Sequence, residues 1–62
     1  MRTKIIHEGV NYKGQRFKVI AFYRNGDVFF YTRTFIYDSE GYVEEDIRVF
    51  TDGTICKNNE EV

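Results

Sequence analysis

The sequence predicts an all-β fold, a five-stranded antiparallel meander that forms either a curled sheet or a small SH3-like barrel. Three observations carry that expectation. Isolated glycines at 9, 14, 26, 41 and 53 punctuate segments rich in β-branched and aromatic residues. No segment shows a sustained 3.6-residue apolar period with caps, so helix has little support. Proline is absent, and six Phe and five Tyr supply side chains that fit a pleated surface.

The first strand is expected over residues 3–12, kinked at Gly9, and Lys13-Gly14 makes the turn that follows it. The second and third strands, 15–24 and 27–37, flank Asn25-Gly26. Asn-Gly suits both central positions of a type I′ turn, whose twist matches that of paired strands. A two-residue loop there sets Arg24 opposite Asp27, Phe22 opposite Phe29, Ile20 opposite Tyr31, Lys18 opposite Arg33 and Arg16 opposite Phe35. Asp38-Ser39-Glu40-Gly41 reads as a type I turn closed by a left-handed glycine. The fourth strand is expected over 42–50. Asp52-Gly53 forms a second hairpin of the Asn-Gly kind, leading to a fifth strand over 54–58. Residues 58–62 are read as a flexible tail of a single domain spanning 1–62.

The period of two then sorts the side chains of the central hairpin into two faces. Phe17, Val19, Ala21, Tyr23, Val28, Phe30, Thr32, Thr34 and Ile36 share the face without charge, which is taken as the core. In the fourth strand Val43, Ile47 and Val49 lie on one side, interrupted by Glu45. A two-residue register at Glu40-Gly41 would align them with that core. A three-residue loop with a glycine bulge would put Val43 and Ile47 beside Tyr31, Phe35 and Tyr37.

Size makes stability a problem. A 62-residue chain buries only about 60% of the surface its unfolded form exposes. Disulfides, metals or association are the usual reinforcements. Cys56 is the only cysteine and His7 the only histidine, so neither an internal disulfide nor a Cys/His zinc site is available. The acidic stretch from Asp38 to Asp46 lacks the spacing of a calcium loop. What is left is a dense aromatic core or association with another chain. No apolar run approaches the roughly 18–20 residues that span a bilayer, and the start lacks a hydrophobic signal region. A cytoplasmic protein is expected.

Charge is uneven along the chain. Residues 1–37 hold seven Lys/Arg against Glu8 and Asp27, for +5, whereas residues 38–62 hold Arg48 and Lys57 against eight acids, for −6. Such polarity marks either a basic binding face or two halves that attract each other once folded.

The remaining face of the central hairpin is the most informative feature. It brings together Arg16, Lys18, Phe22, Phe29, Tyr31, Arg33, Phe35 and Tyr37, with Ile20 among them. Tyr, Phe and Arg are the anchors of protein interfaces. Aromatics interleaved with cations also serve single-stranded nucleic acid, where bases stack on rings and phosphates meet cations. A third reading has a curled sheet burying the rings, with the cations at its rim. A net charge of −1 weakens the nucleic-acid reading, because phosphate neutralisation supplies most of that affinity. No motif joins His7, Cys56 and the sole serine, Ser39, and no phosphate-cradling loop exists. The expectation is a small non-catalytic binding module without cofactor or metal. Its partner is expected to be a protein, another copy of the chain included, with single-stranded nucleic acid as the alternative. By size alone such chains are common among accessory and inhibitor proteins of phages and mobile elements.

Overall fold

The computed structural model describes residues 2–62. It is one antiparallel sheet of six strands in sequence order: β1 (Arg2–Val10), β2 (Arg16–Arg24), β3 (Val28–Tyr37), β4 (Val43–Phe50), β5 (Ile55–Lys57) and β6 (Glu60–Glu61). Among the described residues no helix is long and apolar enough to cross a membrane.

The meander is as expected, but it does not close into a barrel. β1 and β6 are the two edges, and no ladder joins them. The lengths explain this: β1 has nine residues, whereas β5 has three and β6 two. Strands that short offer too few ladder hydrogen bonds to seal a seam against β1. The segment read as a tail carries the sixth strand. Asn58 (φ 52) and Asn59 (φ 69) both take left-handed conformations, the signature of a type I′ turn, and Asn is the non-glycine residue that tolerates it best.

The expected type I′ turn at Asn25-Gly26 is not formed. Positive φ falls on Gly26 (79°) and Asp27 (61°), and the Asp27 N–H donates to the Arg24 carbonyl. The loop therefore spans three residues, with Arg24 opposite Val28. One residue further along, a bulge at Phe30 adds a second offset, after which Phe22 faces Tyr31, Ile20 faces Arg33 and Lys18 faces Phe35. The two single-residue shifts add to one full period of the pleat, so from Tyr31 onward the faces are those the sequence predicts. Only Val28, Phe29 and Phe30 are displaced.

The Asp38 turn resolves in the same way. The Gly41 N–H donates to the Asp38 carbonyl, and Gly41 sits at φ 90, giving a three-residue loop. A bulge between Ile36 and Tyr37 then restores the register, setting Ile47 opposite Thr34 and Val49 opposite Thr32, while Val43 stays with Tyr37. The Thr51–Gly53 loop has three residues as well, which places Cys56 opposite Arg48 and Ile55 opposite Val49. Short polar side chains hold these loops. Asn11 Oδ1 accepts from the Lys13 and Gln15 N–H groups, Asp38 Oδ1 from those of Glu40 and Tyr42, and Asp52 Oδ1 from that of Thr54.

The expected buried core is missing. Among the described residues Ala21 alone is buried, at 1% exposure, and no large side chain is fully enclosed. β1 is exposed along its whole length. A compact monomer of 7.4 kDa exposes about 4,200 Å², against 4739 Å² here. The radius of gyration, 12.4 Å, exceeds the roughly 10.5 Å expected of a compact chain this long. This is a single layer, where stable domains pack at least two.

Candidate functional site

The register gathers seven of the eight predicted site residues on one face: Arg16, Lys18, Phe22, Tyr31, Arg33, Phe35 and Tyr37. Phe29 is the exception. The three-residue turn pairs it with Tyr23, and their rings meet edge to face at 5.9 Å on the opposite side of the sheet. Phe30, expected in the core, takes its place, because the bulge leaves it beside Tyr31. Phe50, which is not among the predicted site residues, joins the same group through its register with Tyr31. A bulge at Phe30 has no composition signal of its own, which is why the sequence pattern missed that ring; Phe50 is placed by the β3–β4 register, which the Asp38 turn left open.

This face has two ends with different chemistry. At the β2–β3 turn end, Phe22 stacks on Tyr31 at 4.5 Å with planes 4° apart, and Tyr31 stacks on Phe50 at 4.9 Å. Phe30 meets Tyr31 and Phe50 edge-on, and the Arg24 guanidinium lies 3.8 Å from the Phe30 ring centre. These rings are half-buried against one another. They compensate locally for the missing layer, each aromatic contact contributing about 0.5–1.5 kcal/mol beyond area burial.

At the other end lies a shallow cleft of about 490 Å³. Arg16, Lys18 and Tyr37 line it together with Glu8 and the Asp38–Gly41 loop. Its charges are mixed: Lys18 pairs in register with Glu8 and places its ammonium 5.9 Å from the Tyr37 ring centre. A cleft with three carboxylates near two cations suits a zwitterionic surface better than a phosphate.

Between the ends, Arg33 makes a two-pronged ion pair with Asp46, Nε to Oδ1 at 2.9 Å and Nη2 to Oδ2 at 2.6 Å. The Arg33 hydrogen bonds hold the Asp46 carboxyl below its ordinary range, although partial burial pushes the other way. The same hydrogen bonds raise Arg33 above its usual value. Arg33 also lies 4.8 Å from the Phe35 ring centre, and Arg48, directly opposite it, donates to Asn59. The central cations of the face are thus already partnered.

Elsewhere, His7 packs its ring against Phe17 on the other face, with centroids 5.3 Å apart. Cys56 is half-buried opposite Arg48, on the aromatic face. Three strands and the thickness of the sheet separate them. Among the described residues no group of three His, Cys, Asp or Glu gathers at metal-binding spacing.

No protein family, curated protein or solved structure matches this chain.

Proposed function

We propose that this chain is a small non-catalytic binding module, of the accessory or inhibitor kind, that takes a protein partner on its aromatic and cationic face. The observation that carries the reading is the single layer with one buried residue among those described, which leaves large side chains of both faces in water. Sheets satisfy that condition by packing on another element. Arg16 and Tyr37 in the cleft, with Phe35 next to it opposite Lys18, supply the anchors typical of interfaces, and carboxylates are at hand for a mixed-charge partner.

Nucleic acid fits the same face less well. Arg33 is held by Asp46, Lys18 opposes Glu8, and Phe22, Tyr31 and Phe50 already spend their flat faces on one another. Bases need open ring faces and phosphates need free cations.

Affinity capture with the immobilised chain, run with and without nuclease, tests the reading. A protein should be retained in both conditions and lost on the double substitution Lys18→Glu, Tyr37→Ala. An empty eluate, or one emptied by nuclease, would overturn it.

A further inference from the structure

We infer that the opposite, uncharged face packs on the same face of a second copy, giving a two-fold β-sandwich dimer. This inference is independent of the partner proposed for the aromatic face and leaves that face outward.

The register places Phe17, Val19, Ala21 and Tyr23 of β2 on this side, beside Phe29, Thr32, Thr34 and Ile36 of β3. Ile47 and Val49 of β4 and Ile55 of β5 continue it. None of these side chains is charged. The ionisable groups gather toward the two ends of the strand order, with the paired Glu45 and Lys57 bordering the apolar centre opposite Ile36 and Ile47. Arg2, Lys4 and His7 occupy the β1 side, while Glu45, Lys57 and Glu60 occupy the β4–β6 side. An apolar centre with a charged rim is the anatomy of a protein interface. The aromatic face differs, since Arg33, Arg48 and Asp46 stand at its centre.

Charge selects a second copy as the occupant and also its orientation. Lys4 forms no ion pair within the described residues, whereas Arg2 is bridged to Asp27. Across the sheet Lys57 is neutralised by Glu45 at 2.9 Å, which leaves Glu60 in excess. The two halves of the chain differ in charge, yet linear strand order keeps their outer edges apart within one molecule. A two-fold axis parallel to the strands lays β1 of each copy across β5 and β6 of the other, so the flank that carries Lys4 covers the flank that carries Glu60 twice over, with the two residues two positions apart along the strands. An axis perpendicular to the strands would instead stack each β1 flank on the β1 flank of the other copy, basic flank on basic flank. The first arrangement is the aligned packing common to sandwiches.

Sedimentation equilibrium over a concentration series is the test. The wild type should sediment at twice 7.4 kDa. Thr34→Arg, at the centre of the face between Val19 and Ile47, should give a folded monomer by circular dichroism. Lys4→Glu should weaken association by about tenfold through its two symmetry-related pairs, and Lys4→Glu with Glu60→Lys should restore it. Lys18→Glu, on the aromatic face, should leave the mass unchanged. If Thr34→Arg does not fold, the Lys4 and Glu60 swap alone decides. A monomer at every concentration, a dimer indifferent to Thr34→Arg, or no rescue by the swap would overturn the inference.

Discussion

At the scale of single residues, the loops and one ion pair account for most of what can be changed cleanly. Gly53 sits at φ 93 with open space where a Cβ would point. Gly53→Ala therefore meets no clash and loses only backbone freedom in the left-handed region, about 1 kcal/mol in a urea titration. Gly9 is the contrast: its φ is ordinary, and an added Cβ would rest 3.7 Å from the Phe17 ring, at normal contact distance. Gly9→Ala should be neutral or stabilise by a few tenths of a kcal/mol. Asp46 supplies a pH-dependent term. Its folded-state pKa is depressed, so its contribution is complete above the unfolded value of about 4 and disappears as pH falls through the folded value. Asp46→Asn should cost about 1 kcal/mol near neutrality, discounted for the part-exposed Arg33. Wild type and variant should converge in acid, and a gap that persists at the lowest pH would refute the linkage.

At the scale of elements, the bulge in β3 is what decides which rings stabilise the sheet. Phe30 contacts Tyr31, Phe50 and Arg24, whereas Phe29 contacts Tyr23 and stays 42% exposed. Phe30→Ala should cost about 1–2 kcal/mol through lost ring and cation contacts. Phe29→Ala should cost less in the monomer and act mainly on self-association. Equal losses at infinite dilution would mean that the bulge does not persist in solution. The β6 hairpin is similarly consequential for its size. The Asn58 N–H donates to the Asp46 carbonyl, Asn58 Oδ1 accepts from the Asp46 N–H, and Asn59 accepts from Arg48. Truncation after Lys57 should accelerate amide exchange at Asp46 and across β5, which hydrogen-exchange mass spectrometry would register. Unchanged protection there would show that β4 holds its own edge.

At the scale of the whole molecule, the missing second layer dominates. Folding to an open sheet buries little apolar area, so packing on another chain contributes directly to stability. The thermal midpoint should therefore rise with protein concentration for the wild type and be flat, and lower, for Thr34→Arg. A concentration-independent midpoint for both would place the stability within the single sheet. The charge polarity belongs to this scale as well. Read along the chain it allows the two halves to neutralise each other, but the linear strand order places β1 and β6 at opposite edges.

Composition, turn residues and the period of two were enough to read an antiparallel meander and to place seven of the eight predicted site residues together on the aromatic face. The parity of a strand survives any even number of register offsets, and here the Gly26–Asp27 loop and the Phe30 bulge supply two. The exchange of Phe29 for Phe30 lies between those offsets, where local sequence carries no signal and cross-strand packing decides. The type I′ turn at Asn58-Asn59 falls where the sequence predicts the end of a fifth strand over 54–58 and a tail; the strand instead stops at Lys57 and the Asn pair turns the chain back. Barrel closure could not be read from pattern at all, because it depends on whether the last strands reach β1. Only the tertiary structure showed that they do not, and that both faces of the sheet are left uncovered.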